Sequence, residues 1–164
     1  MVAISAFERD EIRLIDADDL ETVLAIDRAH TKYSRRRFFA KRFAQAAAHP
    51  AEFVAIGFAR GGSLRGFAIA HLMRGQFGRK DSVAVLDALS VDFDSQSHGM
   101  GQLLISHLLE ILRQRGVRVL HSQASWKSHD LLRFFDRCGF ALSSRVVLER
   151  TVAEPLIEPV EEPS

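Results

Sequence analysis

Apolar and polar positions change rhythm once, near the middle of the chain. Val83-Ala84-Val85-Leu86-Asp87-Ala88-Leu89 is an almost unbroken apolar run, followed by a polar stretch from Asp92 to His98. From Gly99-Met100-Gly101 onward, Met100, Leu103, Leu104, Leu108, Ile111 and Leu112 recur at three- and four-residue spacing. The spacing predicts a strand, a loop and an amphipathic helix, with Gln102, Glu110, Arg113 and Arg115 facing water. Gly116 is a natural stop.

Upstream, Ile12 to Ile15 alternates as a short strand, and Asp16-Ala17-Asp18-Asp19 supplies a cap for a helix carrying Leu20, Val23, Leu24, Ile26 and Asp27 to about His30. A second helix is expected from about Arg35 to His49, ended by Pro50. Phe53 to Arg60 and Leu64 to Met73 read as antiparallel strands joined at Gly61-Gly62-Ser63, and Gly75 to Asp81 as a loop. Downstream, Val117 to Ala124 reads as a strand that a crossover makes parallel to its neighbour. Lys127 to Asp130 opens a helix with Leu131, Leu132, Phe134 and Phe135, stopped at Gly139. Phe140 to Val152 alternates as a final strand or hairpin arm. One folded domain is expected over 12–152, after an extension at 1–11. Residues 153–164 are too rich in proline and acid to fold alone and read as a disordered tail. No internal repeat suggests a solenoid.

Composition narrows the class. The 164 residues suit one domain, and a formal net charge of +1 argues against nucleic acid or an anionic membrane as partner. Cys138 is the one cysteine, so an intrachain disulfide and a cysteine metal cluster are excluded. Charged residues Glu8 to Glu11 stand where a signal peptide needs an apolar segment, and no run reaches transmembrane length. The expected compartment is the cytoplasm.

Chemistry concentrates where the central helix begins. First-turn N–H groups lack intrahelical acceptors and the helix dipole is positive there, so this end suits a phosphate, and glycines at 99 and 101 let an anion come close. Neither the Walker pattern nor Gly-x-Gly-x-x-Gly is present. Gln96-Ser97-His98-Gly99-Met100-Gly101 does fit Gln/Arg-x-x-Gly-x-Gly/Ala after a strand ending Leu89-Ser90-Val91-Asp92, and Leu131 to Phe140 closes in Gly-Phe. In these features the chain resembles the GNAT superfamily of N-acetyltransferases, over about Ile12 to Val152. The resemblance implies an α/β (α+β) domain: a mixed, mostly antiparallel central sheet, helices on both faces, and parallel strands splayed at an acetyl-CoA site. It further implies that Gln96, Ser97, His98, Gly99, Met100, Gly101 and Gln102 hold the coenzyme pyrophosphate, and that the edge at Leu89, Ser90 and Val91 pairs with its pantetheine. Ser128 stands where relatives have a coenzyme-contacting asparagine, and Phe135 where they have a tyrosine acid. No metal is expected.

Asp87 interrupts an apolar strand, where burial costs free energy and tends to raise a carboxylate's pKa, as a base for an ammonium substrate needs. The bland alternative is a structural aspartate bonded to a neighbouring strand, at His71. With Phe135 in the tyrosine position, Tyr33, the sole tyrosine, is the candidate acid. Gln123 cannot be a base, His121 and His129 rank below Asp87, and Trp126 is expected to pack near the splayed strands. Arg35-Arg36-Arg37, Lys41 and Arg42 are interleaved with Phe38, Phe39 and Phe43, which reads as a helix with a charged outer face rather than a DNA-binding one. A further role for these arginines would be selecting a carboxylate-bearing substrate. The expectation is acetyl or short acyl transfer from acetyl-CoA to a primary amine of a small molecule or protein. The alternative is a non-catalytic acyl-CoA-binding domain. A final strand at a sheet edge would also suit a homodimer.

Overall fold

The computed structural model describes residues 10–73, 82–96, 99–145 and 147–152. Five strands form one sheet in the order β1-β2-β3-β4-β5: β1 (Asp10–Leu14), β2 (Phe53–Arg60), β3 (Ser63–Met73), β4 (Ser82–Val91) and β5 (Val117–His121). The first three pairings are antiparallel, and β4 with β5 is parallel. A 3-10 turn at Ala17–Asp19 and helices α1 (Leu20–Thr31), α2 (Arg36–Ala48), α3 (Phe93–Gln96), α4 (Met100–Gln114) and α5 (His129–Arg137) complete the described elements. The expected mixed sheet with helices on both faces is therefore the fold.

Strand alternation divides the core in two. Phe67 and Ile69 of β3 join Val23, Leu24, Ile26 and Phe39 of α1 and α2 on one face. Ala68 and Ala70 join Leu104, Ile105, Leu108 and Leu112 of α4 on the other. Burying each of these four α4 side chains contributes about 2 kcal/mol. The missing side-chain cap at Gly99 costs only about a few tenths of a kcal/mol when the residue is glycine, so packing decides, and α4 keeps an uncapped first turn. Its buried stripe is rotated slightly from the one expected: Ile105 is 2% exposed while Leu103 is 36% exposed.

An ion pair ties the end of β1 to the start of α1. Arg13 Nη1 and Nη2 donate to the two oxygens of Asp19 at 2.7 Å each, and Asp16 and Asp19 form a reciprocal capping box. The Arg13 hydrogen bond, outweighing burial, holds the Asp19 carboxyl below its ordinary value. A depressed folded-state pKa contributes stability above the unfolded value, near 3.9, that is lost as pH falls through the lower folded value. An acid titration of stability should show this loss, and Arg13→Gln should flatten it; an unchanged slope would remove the pair from the acid transition.

Three expectations need correction. Sheet pairing starts at Asp10, two residues before the expected strand. Asp92 to His98 is not all loop, since Phe93–Gln96 is a helical turn. Phe140 to Val152 forms no strand among the described residues, and Leu142, Leu148 and Val152 are 96%, 90% and 93% exposed. Alternation becomes a strand only where the backbone finds a ladder partner. The expected loop at 75–81 and the tail lie outside the described residues. No described helix is long and apolar enough to cross a membrane.

Candidate functional site

The sheet opens between β4 and β5. Their pairing runs from Ser82↔Val117 to Val85↔His121, so Leu86 to Val91 of β4 have no β5 partner. On its other side β4 carries an irregularity: Ala70 faces Leu86 and Ile69 faces Ala88, which leaves Asp87 as an extra residue without a partner on β3. Such a bulge re-aims side chains. Leu86 joins the α4-facing core and Ala88 the α1/α2-facing core, and Asp87 turns toward α2.

The open stretch of β4 ends at a small polar knot. The Val91 carbonyl accepts from His30 Nε2 at 2.7 Å and from the Gln96 amide at 3.2 Å. Because a carbonyl only accepts, His30 carries its proton on Nε2. The His30 ring also packs on Phe93, with centroids 4.3 Å apart. Gln96 is thus engaged with the strand end. Ser97 and His98 lie outside the described residues. Gly99 opens α4 at φ 72, a left-handed conformation that strains other residues. Beyond it, the N–H groups of Met100, Gly101 and Gln102 sit in the first turn, where no intrahelical acceptor exists. Gly101 has a second reason to be glycine: a Cβ there would stand 2.9 Å from Cε2 of Phe134. It lets α5 pack closely on the start of α4.

Asp87 does not have the apolar surroundings expected of it. Its side chain is 6% exposed, but Oδ2 accepts from His71 Nδ1 at 2.8 Å and Oδ1 from Arg42 Nη2 at 3.3 Å. Arg42 Nε lies 3.1 Å from Oδ2 without hydrogen-bond alignment, so that contact is Coulombic. Arg42 also donates to Gln45 at 3.0 Å and stacks over Phe38. It therefore points inward, contrary to a purely outer charged face. Arg35 is likewise folded in, paired with buried Asp27 and stacked on Phe38 and Phe39, and Arg36 pairs with Glu21. These three arginines are already neutralised, which weakens their expected use in selecting an acidic substrate.

Beside Arg42, a cavity of about 420 Å³ separates α2 from the sheet. Ala46 and Ala47 are too small to fill the space over Ala55 and Ile69, and Phe43 and Ile15 complete its apolar wall.

The remaining expected residues are dispersed. Leu89 packs against the α4-facing core and Ser90 is half-buried. Tyr33 is 63% exposed in the α1–α2 connection. Phe135 is 8% exposed within the core, against Phe134 and Phe140. Ser128 precedes α5, exposed and making no side-chain cap. Trp126 is 76% exposed rather than packed by the strands. Burial pushes the Cys138 thiol up, which makes it a poorer proton donor. Among the described residues, no group of three or more His, Cys, Asp or Glu is placed to hold a metal. His30, and Arg42 as a partner of Asp87, escaped the sequence reading. For Arg42 the available signal was an arginine at helical spacing from Phe38 and Phe39, on the side that has to meet the sheet.

With this geometry in view, the chain can be placed. The acetyltransferase (GNAT) family model matches residues 15–140, and the chain belongs to that family, an N-acetyltransferase by descent. No curated protein sequence matches it. Similar folds include a transcriptional regulator from Bacillus halodurans (TM-score 0.75, 16% identity, 87% of this chain and 100% of that one). An aminoglycoside N-acetyltransferase solved with CoA has TM-score 0.75 and 16% identity, over 91% of this chain and 99% of that one. A glucosamine-6-phosphate N-acetyltransferase from Arabidopsis thaliana has TM-score 0.66 and 14% identity, over 87% and 99%. The family uses acetyl-CoA.

Proposed function

We propose that the protein transfers an acetyl, or another short acyl, group from acetyl-CoA to a primary amine of a small molecule or a protein. The observation that carries this is the juxtaposition of two open backbone surfaces: the β4 edge from Leu86 to Val91, which β5 does not pair although the Val91 carbonyl is taken by His30 and Gln96, and the uncapped first turn of α4 at Gly99. The residues present fit the coenzyme. An exposed strand edge offers donors and acceptors to amides in an extended ligand, as in strand addition, and Leu89, Ser90 and Val91 lie along it. A helix start offers N–H groups and a positive dipole to a pyrophosphate, which Met100, Gly101 and Gln102 supply, with Gln96, Ser97 and His98 preceding them in sequence. Ser128 is exposed for a polar contact, and Phe135 supports the site from the core.

When bound, acetyl-CoA supplies an acyl group activated as a thioester. The chain's part is to hold the acceptor amine, to take its proton and to polarise the carbonyl with β4 backbone groups. The acceptor approaches from the α1/α2 face, where Asp87 is turned. Its body occupies the cavity beside Arg42, and Tyr33 serves the same side as a candidate acid.

The test is released thiol from acetyl-CoA across a library of primary amines. Thiol release dependent on one class of amine supports acyl transfer. Acetyl-CoA binding without release across the library would favour the non-catalytic acyl-CoA-binding reading, which the burial of Phe135 in the place of a tyrosine keeps in contention.

A further inference from the structure

Asp87 is poorly placed to take a proton from a substrate directly. Its side chain is 6% exposed, one oxygen is held by Arg42 and the other by His71. His71 differs. Its side chain is 23% exposed, and because a carboxylate only accepts, the 2.8 Å bond puts a proton on Nδ1, so that in the neutral imidazole the lone pair is on Nε2. His71 also stands opposite Val85, which pairs with His121 in the last row before β4 and β5 part. The imidazole is one strand away from the open edge of β4.

We infer that His71 Nε2 is the base that deprotonates the acceptor amine, with Asp87 as a positioning residue that sets the tautomer and offsets the imidazolium charge. Arg42 holds Asp87 in place. The assignment rests on the acyl-transfer reading. The substrate ammonium gives one proton to Nε2, leaving a neutral amine. Its nitrogen forms a bond to the thioester carbonyl carbon, and the C–S bond breaks with its electron pair leaving on sulfur as thiolate. The second nitrogen proton passes to the thiolate. The products are an amide and a free thiol, and His71 returns its proton to solvent. The division of labour between a buried carboxylate and an imidazole is the one acyl transfer uses elsewhere.

The test uses the full chain, with acetyl-CoA and n-butylamine as probe. His71→Gln keeps an N–H for Asp87 but cannot take a proton. It should lower kcat by about 10²–10⁴-fold while KM for acetyl-CoA and the melting temperature stay close to wild type. His71→Ala should regain rate when imidazole is added. Asp87→Asn should cost about 10-fold or more in the wild type and little further in the His71→Gln background, because residues acting as one unit are not additive. Nitrogen NMR of the imidazoles should show His71 protonated at Nδ1 and bare at Nε2, an outcome independent of turnover. If His71→Gln retains its rate while Asp87→Asn loses it, Asp87 is the base and the inference fails. Should Asp87→Asn not fold, because Arg42 is left uncompensated, His71→Gln and imidazole rescue decide. A wild type that turns over no amine overturns the acyl-transfer reading itself, and the inference with it.

Discussion

Gly101→Glu is expected to bind acetyl-CoA about 100-fold more weakly than the wild type. A carboxylate about 6 Å from a bound phosphate, at an effective dielectric near 20, opposes it by about 2–3 kcal/mol, which is that factor. Bulk acts too, since even a Cβ at this position stands 2.9 Å from Phe134 and pushes α5 away from α4. Gly101→Gln separates the two effects. Both variants displace Phe134, but only Glu adds charge, and an acid in a helix's first turn is stabilising. Glu should therefore melt no lower than Gln and yet bind the coenzyme more weakly in calorimetry. Equal affinities for the two variants would mean that no anion sits at this turn.

The second large effect concerns the fold around the acceptor side. Arg35→Ala removes the partner of Asp27, whose side chain is 3% exposed, and leaves a carboxylate buried without a cation. Breaking a buried pair from one side costs about 3 kcal/mol, or roughly 6–12 °C in melting temperature for a chain of this size. Replacing both partners with apolar residues, as in Asp27→Leu with Arg35→Met, should recover much of the loss, because no buried charge then remains. A thermal melt checks both. A change under about 1 kcal/mol for Arg35→Ala would place the pair with screened surface bridges and remove it as the anchor of the α1–α2 connection that carries Tyr33.

What was legible in the sequence was local. Leu104, Leu108 and Leu112 fall on one helical stripe, and Gln96 to Gly101 is contiguous, so helix, loop and family pattern could be read without knowing what they touch. Asp87 was legible as an anomaly, a charge inside an apolar run, and His71 on a neighbouring strand as its bonding partner, but the approach of Arg42 from α2 was not. That depends on the residue count of β4 against β3, where one extra residue turns the side chain toward α2. Arg42 reaches Asp87 from 45 positions away in sequence, and no periodicity encodes such a meeting. Phe140 to Val152 failed in the opposite direction, because alternation describes what a strand needs on its two faces and says nothing about an available neighbour. Only one half of the role of Gly101 was legible, since its contact with Phe134 belongs to a helix that starts 28 positions later.

The most direct test of acyl transfer is a single-turnover experiment: stoichiometric protein and acetyl-CoA, mixed with the amine that releases most thiol, quenched and read by mass spectrometry. Acetylated amine and free coenzyme thiol should appear together in equal amounts. Acetyl-CoA recovered intact beside unmodified amine, with the coenzyme shown by calorimetry to be bound, would contradict it.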